Sequence, residues 1–313
     1  MKIAIIGAGM AALSCATALQ AGGHVVAMFD KGRGACVRTA TRRVKIPSGE
    51  VASDHGAQYL PARDRGFAAQ VRRGEWADVV AAWPDSGADA WMESPAINSL
   101  SKSLCAPLTV CWNSRVDALR EVDQKWVLDP VSQERFDALI IATPAEQAAP
   151  LLIAHEPAMA GMAQSCPSAP CWTAMLAFDE RIAIANDIIR DAGIIGWAAR
   201  HSAKPGRGRT ETWVIQATAE WSSEHLEHSE TDVVSGLLSA LAAEATQELP
   251  EPIVRIGHRW RYSCVEPTHH GFLWNETMRI GAVGNWLIAP RIESASLSGR
   301  MLADRIFATH RAS

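Results

Sequence analysis

Residues 2–30, KIAIIGAGMAALSCATALQAGGHVVAMFD, restrict the possible folds more than any other stretch of this 313-residue chain. KIAII reads as a short buried strand, MAALSCATALQAG as an apolar helix stopped by Gly22-Gly23, and HVVAMFD as a second buried strand ending in Asp30. The turn between the first strand and the helix spells GxGxxA, and the acid follows about 20 residues later, the pattern of a dinucleotide-binding βαβ unit. Each piece has a physical task. Gly7 permits the tight turn, Gly9 lets a diphosphate approach the backbone, Ala12 keeps the helix close to the sheet, and Ala11 joins them as a cofactor-binding candidate. The helix N-terminus offers partial positive charge to phosphates. Asp30 can take both hydroxyls of an adenosine ribose, and a carboxylate there disfavours a 2′-phosphate, so FAD or NAD is preferred to NADP. The competing reading is the same turn without a ligand.

The strand runs into GRGACVRTATRR, residues 32–43, which holds four arginines, two glycines and no acid. Arg33 and Arg38 sit on the glycine-bearing loop, where guanidinium groups can grip a diphosphate bidentately. Arg42 and Arg43 read as solvated partners of surface acids. A net charge of −4 gives no global field favouring nucleic acid, so a basic site must be local. No stretch reaches the roughly 20 apolar residues that cross a bilayer, so no membrane partner is expected. Seven cysteines with no CxxC pair argue for reduced thiols in a cytoplasmic protein and against a metal site.

Beyond the βαβ start, several segments carry a resemblance: DKGRG with RTATRR, DHGAQYLPARDRGF at 54–67, IIATPAEQAAPLL at 140–152, WAARHSAKPGR at 197–207, TWVIQATAEWS at 212–222, HRWRY at 258–262 and GNWLIAPRIESASLSG at 284–299. In this order they resemble the FAD-dependent amine oxidase superfamily and, within it, bacterial renalase-like flavoproteins. The resemblance implies an FAD site assembled from distant pieces. Gly7, Gly9, Asp30, Lys31, Arg33 and Arg38 would hold the ADP half, Arg115 and Val116 would meet the adenine end, and Ala142, Thr143 and Pro144 would approach the diphosphate. Gly284 would open the C-terminal flavin motif, with Asn285 next to it. The helix starting near Ser294, with Glu293 and Ala295, would aim its N-terminus at the flavin, where reduced flavin carries negative charge. Gln58 and Tyr59 would lie near the flavin face. Three departures cluster: Cys36-Val37 replaces a Gly-Gly pair, Asn285 an aspartate, and Ser294 a glycine. Glycine serves where backbone passes close to a ligand. They leave open a dinucleotide-binding relative with altered or lost flavin redox chemistry, a nonredox enzyme or sensor.

The remaining chain reads as strands and helices of another kind. TAMLAFD and TWVIQATA are strand-like, and TDVVSGLLSALAAEATQEL has the apolar spacing of a core-facing helix. PIVRIGHRWRYS alternates, with Val254, Ile256, His258, Trp260 and Tyr262 on one face and Arg255, Arg259 and Arg261 on the other. His258 is therefore either a hydrogen-bonded core residue or a catalytic one. ARHSAKPGRGR, 199–209, is either an exposed hairpin connection or a site capturing an anionic, nucleotide-like substrate.

The expected fold is α/β: a Rossmann-type FAD-binding domain from 1–75, 105–155 and 270–313, with an inserted mixed-sheet substrate domain from 76–104 and 156–269. The expected activity, implied by the resemblance, is that of an oxidase. It takes a hydride from a small amine or a dihydropyridine-like isomer of NAD(P)H to flavin N5 and passes the electrons to oxygen.

Overall fold

The computed structural model describes residues 1–35, 37–47, 49–72 and 79–310, and of Val37, Gln70 and His310 the backbone only. Cys36, half of the pair that departs from the family pattern, lies outside the described residues. The chain folds as two units, each built from separate segments: 1–37, 100–168 and 265–313 in the first, 38–99 and 169–264 in the second.

The first unit is organised by a six-stranded sheet in the order Leu273–Asn275, Ile280–Ala282, Ala138–Ile141, Lys2–Ile6, Val25–Phe29, Val110–Cys111. Its strands are parallel except the edge strand Leu273–Asn275. Parallel strands are covered on both faces, which is why KIAII and ALII are almost continuously apolar and why Ile3, Ile5, Leu139 and Ile140 are fully buried. The helix Met10–Ala21 ends at Gly22, as the glycine pair predicts. It packs against the last helix, Ile292–His310, so closely that a side chain at Gly299 would collide with the Ala11 carbonyl, and Ser14 and Ser296 hydroxyls meet at 2.7 Å. A three-stranded antiparallel sheet, Ala118–Val122, Lys125–Asp129 and Ser132–Phe136, adds Trp126, Leu128 and Phe136 to the core.

The second unit centres on a five-stranded sheet, ordered Ile188–Ala192, Ile195–Arg200, Glu211–Ala217, Ser168–Phe178, Val254–Val265. The pairings among its first four strands are antiparallel. The helix Glu230–Ala243 buries Val233, Val234, Leu237 and Leu241 in the same cluster as Leu176, Trp213 and Ile215, the stripe its spacing predicts. Residues 38–75, expected with the nucleotide domain, fall on this side of the division, because Val51 of the Gly49–Asp54 strand buries itself with Ala177 and Val254. Residues 156–168 fall in the first unit, since the helix Pro157–Gln164 puts Met159, Ala160 and Ala163 into that unit's core.

Candidate active site

In the first unit the strand order turns around Lys2–Ile6: the chain goes to Val25–Phe29 on one side and Ala138–Ile141 on the other. Ligands of open α/β sheets bind at such a point, beyond the carboxyl ends of the strands. The residues gathered there are Gly7, Gly9, Asp30, Ala142 and Thr143. Gly7 has φ +107°, and a Cβ would lie 2.8 Å from the Ala142 carbonyl oxygen, so both the turn and the strand neighbour require glycine. At Gly9 the situation is opposite, with nothing within 4 Å of a Cβ. Gly9 is the N-cap of the first helix, with no side-chain cap and no acid in the first turn. Amides of a helix start lack intrahelical partners, so an anion is the fitting complement.

Asp30 is held in position by two backbone donors: Ala8 N–H bonds Oδ2 at 2.7 Å and Gly32 N–H bonds Oδ1 at 2.6 Å. Its lone pairs leave room for ribose hydroxyls as well. Lys31 and Arg33 are exposed on the loop that follows, and neither pairs with another described residue. Thr143 Oγ1 is buried without a partner among the described residues, while Trp286 Nε1–H bonds the Thr143 carbonyl at 3.3 Å. Such an orphaned hydroxyl beside an open, uncapped helix start fits a dinucleotide diphosphate. Gly284 lies so near Trp286 that a Cβ would stand 2.6 Å from the indole, and Asn285, Glu293, Ser294 and Ala295 are all buried around the start of the last helix. Val116 is buried among Phe29, Leu119 and Leu139, and Arg115 pairs with Asp117. Arg38, expected to grip the diphosphate, belongs to the second unit, where its carbonyl accepts the Ala57 N–H at 2.9 Å.

The second unit contains a buried polar cluster that sequence reasoning did not assemble. Asp54, fully buried, accepts from Arg207 Nε at 2.9 Å and Nη2 at 2.5 Å, from Thr41 Oγ1 at 2.7 Å and from the Ile97 amide at 3.2 Å. Its own amide donates to His201 Nε2 at 3.1 Å. That bond requires an unprotonated nitrogen, in keeping with burial pulling the His201 ring down to about 4. Burial alone would raise the Asp54 carboxyl, yet the hydrogen bond and charge that His201 offers when its ring is protonated, with the charges of Arg207 and Lys204, hold it well below the usual range. At neutral pH the balancing charge is therefore that of Arg207. Lys204, 2 % exposed, donates to Gln58 Oε1 at 2.8 Å and lies 5.0 and 5.4 Å from the ring centres of Trp83 and Trp197. Burial pulls its ammonium down to about 7, against the attraction of Asp54.

These contacts revise the reading of 199–209. Arg200 pairs with Asp187 and Glu211, His201 and Arg207 with Asp54, and Lys204 with Gln58, so four basic residues of the segment are internal. It is neither an exposed hairpin connection nor an open anion site. Gln58 is similarly occupied: Nε2 donates to the Asp54 and Gly56 carbonyls at 2.7 and 2.9 Å. It braces the 54–58 turn. Tyr59 packs edge-on against Trp83 at 6.2 Å. His258 is half-buried, edge-on to His55 at 4.8 Å and to Trp260 at 4.2 Å. Burial, with Arg42 nearby, lowers its ring below the ordinary histidine value. His55, missed in the sequence, stacks on Trp260 and keeps Nδ1 buried without a partner among the described residues.

Among the described residues no helix is long and apolar enough to cross a membrane, and no cluster of metal-ligating side chains occurs. Residues 5–71 match an NAD(P)-binding Rossmann-like domain. Solved structures share the fold at low identity. A structure assigned as a protoporphyrinogen oxidase from Exiguobacterium sp. 255-15 superposes with a TM-score of 0.79 at 10% identity, covering 97% of this chain and 98% of that one. Cyclohexylamine oxidase from Brevibacterium oxydans IH-35A gives 0.76 at 12%, covering 99% of each. Putrescine oxidase bound to putrescine gives 0.73 at 12%, covering 98% and 99%. Residues 48–305 match the flavin containing amine oxidoreductase model, and with most of its length so matched the chain belongs to that family of FAD-dependent oxidoreductases.

Proposed function

We propose that the protein is a renalase-like oxidase of the cytoplasm, acting on a small amine or on a dihydropyridine-like isomer of NAD(P)H. The observation that carries the FAD assignment down to individual residues is the pairing of an open, uncapped helix start at Gly9 with an Asp30 carboxylate fixed by two amides. Asp30 would hold the adenosine ribose, and the first helix start with Lys31, Arg33 and Thr143 would neutralise and bond the diphosphate. Asn285 and the buried first turn of the last helix, Glu293, Ser294 and Ala295, would meet the flavin end. Bound FAD supplies hydride acceptance and reoxidation by dioxygen with release of hydrogen peroxide. The protein's part is then orientation and electrostatics. No general base is needed when a hydride leaves directly. His258 and Tyr59 are the side chains of the second unit proposed to contact substrate, and Gln58 supports them through the turn it braces.

The test is the absorbance spectrum of purified protein, followed by peroxide release with a panel of primary amines and of NADH isomers. Bound flavin and peroxide from the isomers establish the reading. Peroxide from amines alone removes its renalase-like part, and a protein that stays colourless after reconstitution with FAD overturns it.

A further inference from the structure

The second unit carries a concavity of about 480 Å³ lined by Ala62, Arg63, Arg65, Ala68, Ala69 and Arg72. Four of these fall on one face of the helix Arg65–Arg72, at positions i, i+3, i+4 and i+7. Ala62 and Ala68 are buried and Ala69 half-buried, so small side chains form the floor while three exposed arginines stand at the rim. Arg65 and Arg72, two turns apart, rise from one helix face roughly 10 Å apart along the axis, and their long side chains can converge on linked phosphates. Arg63 is steadied by its ion pair with Asp89 at 2.5 Å. Arg65 and Arg72 have no hydrogen bond or ion pair with any described residue. The chain as a whole is acidic, with a net charge of −4. Among the described residues the hollow is lined by three guanidinium groups and no carboxylate, with Asp89 pairing to Arg63, and concave clusters of one sign concentrate counter-charged ligands. Guanidinium forks match phosphate oxygens in geometry as well as charge.

We propose that this hollow binds the phosphate groups of a phosphorylated small molecule, with Arg65 and Arg72 as the primary ligands and Arg63 as a fixed third. If the molecule is the substrate, the reading rests on the oxidase function above and selects the nucleotide-like substrate over the simple amine. The residues of the hollow are not those of the diphosphate cradle of the first unit, so the experiment uses protein already loaded with FAD.

Inorganic pyrophosphate is titrated calorimetrically into the FAD-loaded protein at low salt, and into Arg65→Gln/Arg72→Gln. Arg209→Gln, an exposed arginine of the same unit outside the hollow, serves as the single-charge control. The expected result is sub-millimolar binding that weakens at least tenfold in the double variant, changes less than twofold in the control, and falls steeply with salt. Equal binding in wild type and double variant, or heat only at tens of millimolar pyrophosphate, means an adventitious ion only and overturns the proposal. Both variants change exposed side chains, and circular dichroism confirms their folding. A second arm compares turnover. For an NADPH isomer the double variant should raise KM at least fivefold with kcat within twofold, and for an unphosphorylated amine it should change neither. An enzyme without oxidase activity would still show the pyrophosphate result, so failure of the functional reading and of the site are told apart.

Discussion

Lys204 makes stability a reporter of a buried ammonium. The ordinary lysine value of 10.5 falls to about 7 in the folded protein, chiefly through burial. Between those values the unfolded chain binds a proton that the folded chain has released, so stability rises with pH at up to 1.36 kcal/mol per pH unit. Below about pH 7 both states are protonated, and the cost of burying the charge, on the order of 5 kcal/mol at most, is fully present. Between pH 7 and 9 it should be relieved by about 2 kcal/mol. Lys204→Met keeps the length and the packing against Trp83 and Trp197 and removes the titration. It also leaves Gln58 Oε1 without its donor, which costs about 1–3 kcal/mol at every pH. At pH 9 about 2 kcal/mol of the burial cost remains, which matches the lost bond, so the two proteins should be of similar stability. On moving to pH 6 the wild type should lose about 2–3 kcal/mol relative to the variant. Urea titrations at pH 6, 7, 8 and 9, read by amide exchange in the Glu211–Ala217 strand, measure this within the second unit. Parallel pH profiles for the two proteins would refute a depressed Lys204.

Three further outcomes are expected. Gly9→Val should fold normally, since nothing stands within 4 Å of a Cβ there, yet lose FAD, whereas Gly7→Ala should lower stability by about 1–3 kcal/mol through its positive φ and the Ala142 carbonyl; flavin content and thermal melting separate the two. Arg207→Met strands the buried Asp54 charge and should cost about 3–5 kcal/mol, with part recovered by adding Asp54→Asn, as a double-mutant cycle in urea would show. Gly299→Ala forces the first and last helices apart at Ala11 and should reduce both stability and FAD retention, measured by melting with and without added cofactor.

What could be read from the sequence was local. The βαβ start announced itself because a strand, a glycine turn, a helix stop and an acid all fall within 30 residues, each with its own signal. The Glu230–Ala243 helix was legible from apolar spacing alone. The buried polar cluster was not. Asp54 meets His201 and Arg207 across 147 and 153 residues, and no periodicity reports such a pairing. For the same reason the basic residues of 199–209 looked solvent-facing: a sequence displays charge, while the carboxylate that permits its burial lies elsewhere. Gln58 looked available to a ligand because its bonds to the Asp54 and Gly56 carbonyls arise only when the turn closes. The two small side chains beneath Arg65 and Arg72 were visible as letters, but the hollow they create needs the helix and Ala62 together.

The seam between the first and last helices bears on how the molecule is made. Ala11 cannot find Gly299 until all the residues between them have left the ribosome, so the cradle for the dinucleotide stays unsupported while they are made. Long-range closures of this kind are slow and leave apolar helix faces uncovered meanwhile. Expression in a flavin-starved cell should accordingly yield less intact protein, with the losses falling on newly made chains.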